Sequence, residues 1–362
     1  MEENLGIEQV VTDNLQEMHS EVVNPVKEMK KVATKIGWKY AVFGAVVTIL
    51  QLIYAVLLPD AWAEKSWAQF MQIILPMYVL GFPLLLLLTS KMPTTKIEKK
   101  KMGFWKWVLC VLIGAGICGV GSIIGALINT VLTLPFGVNA DETNALANLM
   151  MDSNPFWRIF TVGILAPIFE ELIFRKLLID RVIKHGEFLA IMMSGLMFGM
   201  FHGNFAQVFF ATGLGLFWAF IYVKTGKVWY TIALHMTINL TTSVINLYLV
   251  QKYLEYLELY LDPNYMNNVL AGDPVATESL VIFGAFLGWM GFLGLLAVTG
   301  IILFFVFLAL KKFRLNPHPY GISKECQFGR GVFSWGMIMF WGFCIFLFIQ
   351  YYVSIILMSV MS

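Results

Sequence analysis

Charge is what this chain is short of. Only 13% of its 362 residues are Asp, Glu, Lys or Arg, against 59% hydrophobic, and its mean hydropathy is +0.74. A soluble domain carries about 25% charged residues, so that class is excluded and a chain that lives in lipid is indicated. Cysteine is equally scarce. Cys110, Cys118, Cys326 and Cys344 show no metal-type spacing, which excludes a disulfide scaffold or a cysteine-built zinc site and leaves them as packing residues. A net charge of +2 supplies no basic face for nucleic acid, and none is expected as a partner. Residues 1–35 lack the apolar core of a signal peptide. They place Ile7, Val10, Val11, Leu15, Met18, Val22 and Val23 roughly on one helical face, ahead of Lys27, Lys30, Lys31 and Lys35. That pattern suits an amphipathic helix at the cytoplasmic surface or a soluble cap.

What the chain has is long apolar runs. They stand at 37–58, 67–89, 104–135, 156–174, 188–204, 205–223, 228–250, 279–310 and 332–361, against the ~20 residues that cross a bilayer; the fifth is short, and the third and eighth exceed a bilayer width and must tilt, kink or extend into water. The expected fold is all-α, a polytopic membrane protein with about nine transmembrane helices. Its expected parts are an N-terminal cytoplasmic segment at 1–35, spans at 36–155, a core at 156–250, and an outer loop with C-terminal spans at 251–362. Lysines and arginines gather in alternate connections: Lys91 to Lys101, Arg175 to Lys184, Lys224 with Lys227, and Lys311 to Arg330. This places the N-terminus in the cytoplasm. The setting is a multi-pass protein of a plasma membrane, in the manner of bacteria.

Polar residues inside those runs are the candidates for chemistry. Glu170 and Glu171 sit in ILAPIFEELIFRKLL, His202 in SGLMFGMFHGN, and His235 with Asn239 in YTIALHMTINL. An acid at the centre of a membrane helix costs roughly 2.5–3.5 kcal/mol on insertion scales, so several in successive spans need a purpose. Glu171 and Arg175 are spaced to pair on one helical face, which leaves Glu170 available as a base, and Glu170 stands only five residues, or ~7 Å of helix, before Arg175, so the chamber is expected to open toward the cytoplasmic half of the bilayer. Counted from a turn at Gly186, Glu170 lies 16 residues back and His202 16 forward, at about the same height on two antiparallel helices. His235 and Asn239 share a face and offer hydrogen-bond donors to a developing oxyanion. Taken singly, a buried Glu–Arg pair is often structural and a lone membrane histidine is more often packed than catalytic. His19, His185 and His318 read as surface residues.

Three motifs in order carry a resemblance. EELIFR at 170–175 fits E-E-x-x-x-R, FGMFH at 198–202 fits F-x-x-x-H, and HMTIN at 235–239 fits H-x-x-x-N. Together they resemble the CPBP family of intramembrane proteases, the CAAX proteases and bacteriocin-processing enzymes also called the Abi family, over about residues 156–245. The resemblance implies peptide-bond hydrolysis in the membrane, with Glu170 and His202 activating water and His235 and Asn239 holding the oxyanion. Glu171, Arg175 and Phe198 take supporting roles, and the substrate is a membrane-associated peptide or protein within the lipid bilayer. Lys176 departs from the glycine that many members carry after the arginine.

The metal question stays open in the sequence. There is no H-E-x-x-H, yet Glu170, His202 and His235 together with a water suit catalytic zinc, and a metal-free glutamate mechanism uses the same residues. Two rival functions are a non-catalytic relative that uses the cavity as a membrane binding scaffold or regulator, and a proton-coupled transporter with Glu170 and His202 as its relay.

Overall fold

The computed structural model describes residues 24–137, 149, 151 and 153–361, which are helical with no strand among them. Nine long elements follow one another: α1 (Pro25–Leu57), α2 (Ser66–Thr89), α3 (Phe104–Phe136), α4 (155–185), α5 (Glu187–Met200), α6 (Phe205–Thr225), α7 (Val228–Glu255), α8 (Pro274–Ala309) and α9 (Trp335–Met361). Among the described residues seven of these, all but α4 and α5, are long and apolar enough to cross a membrane. The expected nine is therefore not reached. α5 has 14 residues, about 21 Å of helix, and α4 is broken by charges.

Several boundaries move. α1 begins at Pro25, not near 37, because Asn24 caps the Val26 and Lys27 amides at 3.1 and 3.2 Å and proline suits the first helical turn. Lys27, Lys30, Lys31 and Lys35 thus belong to the first turns of a span. Residues 1–23, with His19, lie outside the described residues, as does most of the loop expected at 136–155. α4 continues past Arg175 to His185, so the charged tip expected from Arg175 to Glu187 shrinks to the turn at Gly186, where φ is +107° and glycine is required. α7 likewise extends to Glu255, and the 251–278 region adds only short helices, Leu257–Tyr260 and Tyr265–Leu270.

Close approaches between spans are made at glycines, as expected where lipid gives no hydrophobic drive to association. A Cβ at Gly199 of α5 would strike Thr212 of α6, one at Gly116 of α3 would strike the α8 backbone at Gly300 and Ile301, and one at Gly37 of α1 would strike the α9 backbone at Gly336 and Met337. α6 runs through the middle of the bundle, with 56% of its apolar window buried. α8 lies at the edge, with 6% buried.

The lysine- and arginine-rich side is latched. Tyr222 donates to Asp180 at 2.7 Å, the Thr95 amide to the Asp180 carbonyl at 2.6 Å, and the Lys100 amide to the Thr225 carbonyl at 2.8 Å. Glu187 accepts from Lys224 and from both the amide and side chain of Asn316. His185 and His318 are part of this layer and are not surface residues, each being 8% exposed. Burial pushes both imidazoles below the usual histidine range, and the neighbouring Lys184 charge adds to the effect on His185.

Candidate functional site

α4 is where the helical pattern is least regular, and the irregularity positions the site. Two wide π-turns, Ile159–Leu165 and Leu172–Leu177, bracket the segment that carries Glu170 and Glu171, and a third, Leu240–Ile245, follows Asn239 in α7. Such turns loosen the regular backbone ladder and recur at functional sites. Side chains take up carbonyls in and around them: Asn239 Nδ2 donates to Val162 O at 3.0 Å, Tyr40 Oη to Ile173 O at 2.6 Å, and Ser194 Oγ to Phe174 O at 2.8 Å. Asn239 keeps its second amide hydrogen for another partner.

The two adjacent glutamates have different surroundings. Glu171 is fully buried and lies 3.1 Å from Arg175 Nε, as the i,i+4 spacing anticipates. The arginine nitrogens make no well-aligned hydrogen bond. The guanidinium instead lies over the Phe198 ring at 4.5 Å and the Trp218 ring at 5.7 Å, an arrangement of charge and aromatic faces. The other Glu171 oxygen is 3.1 Å from His235 Nδ1, which fixes that nitrogen as the donor to a carboxylate already paired with arginine. His235 Nε2 then faces Glu170 Oε2 across 3.8 Å. This gap is too long for a hydrogen bond.

The expected pairing of heights holds. Glu170 and His202 line the same two cavities, and Trp218 of α6 stacks on His235 of α7 with ring centroids 4.4 Å apart. His202 Nδ1 is 2.9 Å from Phe198 O, so its Nε2 is the nitrogen left for chemistry. Phe198 stands between the two histidines, edge-on to His202 at 5.0 Å and to His235 at 5.8 Å. Trp218 is the residue that sequence reasoning missed. Its signal was available, because Trp218 and His235 lie at similar distances on either side of the Thr225–Gly226 turn.

A cavity of about 610 Å³ is lined by Glu170, Phe198, His202, Trp218, His235 and Asn239. A second, of about 410 Å³, reaches Glu170 and His202 from between α1, α2 and α9. The first extends along α7 to Leu247 and the second along α1 to Gln51, both away from the Gly186 turn. A chamber opening toward the cytoplasmic half of the bilayer was expected from the closeness of Arg175 to Glu170. The cavities run the other way because the lysine-rich side is closed by the latches around Asp180 and Glu187.

The residues that would hold a metal, Glu170, His202 and His235, all line the larger cavity. Among the described residues no three His, Cys, Asp or Glu side chains are grouped to hold an ion. His202 Nδ1 is held by Phe198 O and His235 Nδ1 by Glu171, which leaves the Nε2 of each ring free.

Residues 152–241 match the family described as Type II CAAX prenyl endopeptidase Rce1-like. The chain is also similar to YdiL of Bacillus subtilis (strain 168), described as a candidate membrane peptidase, with 31% identity over 121 residues. That alignment covers 33% of this chain and 50% of the relative, so the chain spans about half the length of the curated protein it matches. No solved structure gives a significant match.

Proposed function

We propose, from the match of residues 152–241 to the Rce1-like CAAX endopeptidase family, that this membrane protein hydrolyses a peptide bond in a membrane-associated peptide or protein. The observation that carries the reading is that Glu170, His202, His235 and Asn239, from α4 through α7, line one cavity of about 610 Å³.

In this reading Glu170 is the base. A water held by the Glu170 carboxylate and by His202 Nε2 gives a hydrogen to each acceptor and turns a lone pair toward the substrate carbonyl carbon. As the oxygen–carbon bond forms, Glu170 takes the proton. The carbonyl oxygen becomes an oxyanion that accepts from the free amide hydrogen of Asn239. His235 joins as a donor only when its Nε2 also carries a proton, because Nδ1–H is committed to Glu171. The two flanking carboxylates balance that charge. When the carbon–nitrogen bond breaks, the proton held by Glu170 passes to the leaving amine.

Glu171 and Arg175 position His235 and Phe198 rather than touch substrate. The deciding experiment is cleavage of a panel of membrane-delivered peptides by purified protein, beside Glu170→Ala and His202→Ala, with and without chelator. Loss of hydrolysis in both variants is the expected result. Cleavage that survives both overturns the assignment, and the chelator arm reports on a metal.

A further inference from the structure

The 410 Å³ cavity is built largely from spans outside the family-matching segment, and its lining changes character along its length. α1 and α9 run parallel in a fixed register: Gly37 meets Gly336, and Gly44 meets Phe343. Each pair is separated by 299 residues, which sets Gln51 of α1 level with Gln350 of α9. The two helices touch backbone to backbone at Gly37 and enclose the cavity from Gly44 onward. Beside Glu170 and His202 the lining is apolar, with Phe343 and the Phe201 ring. Farther along it becomes Thr48 and Gln51 on α1, with Gln350 and Ser354 on α9.

Polar side chains facing one another between membrane helices ordinarily serve as interhelical hydrogen-bonding glue. Here Gln51 and Gln350 make no such bond among the described residues, while Thr48 bonds back to its own helix at Gly44 O, 3.0 Å away. Gln51 is half-buried and Gln350 exposed, and a carboxamide within a span that lacks a protein partner is satisfied by water and not by lipid chains.

Peptide hydrolysis consumes one water for each bond cut, its hydroxyl going to the acyl carbon and its hydrogen to the amine. A peptide filling the 610 Å³ cavity covers Glu170 and His202 from that side. The 410 Å³ cavity reaches the same two side chains from the other. We propose that it is an aqueous lane, lined by Gln51 and Gln350, through which water reaches Glu170 and His202 while peptide occupies the neighbouring cavity. Its role in supply rests on the hydrolase reading above. Its being wet does not.

The test separates the two. In full-length protein reconstituted in liposomes, Gln51→Cys and Gln350→Cys are exposed to a membrane-impermeant charged thiosulfonate, beside the lipid-facing controls Ile349→Cys and Val353→Cys and a wild-type blank for the natural cysteines. Thiosulfonates attack thiolates, which form in water and not in lipid, so the lane positions are expected to label at least about tenfold faster than the controls. Equal rates overturn the lane whether or not any peptide is cleaved. A cleaved peptide from the panel that protects Gln51→Cys also overturns it, since the substrate then occupies the space assigned to water. For supply, Gln51→Leu with Gln350→Leu is expected to lower kcat severalfold at unchanged KM, with an unchanged melting temperature certifying the fold. A raised KM with unchanged kcat refutes the supply role. Failure of wild type to cleave anything strikes the hydrolase reading, and the labelling still judges the lane.

Discussion

α6 and α8 are both apolar helices long enough to cross a membrane, yet one is 56% buried and the other 6%. Hydropathy does not tell them apart, and α8 is the more hydrophobic of the two. What separates them is what they pack against. α6 receives Phe198 and His235 on Trp218 and meets α5 through Gly199 and Thr212. α8 touches α3 closely at Gly300, while Gly284, Gly288, Gly291 and Gly294 have open space where a side chain would go. Apolarity thus states which helices enter the membrane, and polar and small residues state which ones form the site. The central elements are committed to fixed geometry, and the edge is free to vary.

That contrast can be broken at graded points. The largest effect is expected at Glu170, where Glu170→Gln should lower kcat by about 10²–10⁴-fold while leaving the melting temperature in place, as read by peptide cleavage and thermal unfolding in detergent. Next is Arg175→Met, which strands the buried Glu171 carboxylate and should cost about 3–5 kcal/mol, measured as a fall in unfolding midpoint. A similar cost at a matching polar-to-apolar change on α8 would erase the distinction between centre and edge. Gly300→Val should cost about 1–3 kcal/mol by forcing α8 off α3, whereas Gly288→Leu should stay within about 0.5 kcal/mol. Comparing the two midpoints separates the face of the peripheral helix that packs on α3 from its open face.

The smallest effect concerns the latch layer. His185 and His318 both fall below the ordinary histidine value of 6.5, so the folded state favours their neutral forms. Their contribution to stability is complete above that value and is lost as pH falls through the lower folded values. Unfolding midpoints should drop between pH 7.5 and 5.5 in the wild type, and drop less in His185→Asn with His318→Asn.

The fold class was legible because mean hydropathy and run length constrain it directly. The site was legible because membrane spans tolerate few polar residues, so Glu170, Glu171, His202, His235 and Asn239 stood out against their background. The Glu171–Arg175 pair followed from helical spacing alone. Trp218 was passed over, since an aromatic ring in an apolar run reads as packing, although its distance from the Thr225–Gly226 turn is similar to that of His235. The π-turns escaped because nothing in a residue's type announces a turn one residue wider, and it is these turns that lie beside Glu170 and Asn239. The buried state of His185 and His318 depends on a loop packing over the Gly186 turn, a long-range contact that no local pattern encodes. The direction of the chamber was misjudged for the same reason, as the latches at Asp180 and Glu187 join distant segments.

The parallel seating of α1 on α9 also sets a clock. Partners 299 residues apart cannot meet until both have been made, and at ~5–20 residues per second the ribosome needs roughly 15–60 s to deliver the second after the first. α1 must wait in the bilayer for that interval with its glycine face uncovered, although α4 through α7 can already assemble around Glu171 and Arg175. Maturation would then proceed in two stages. The candidate site comes together early, and the wall that completes the second cavity closes only when α9 arrives, so a nascent chain would hold its paired carboxylates in place before both cavities beside them exist.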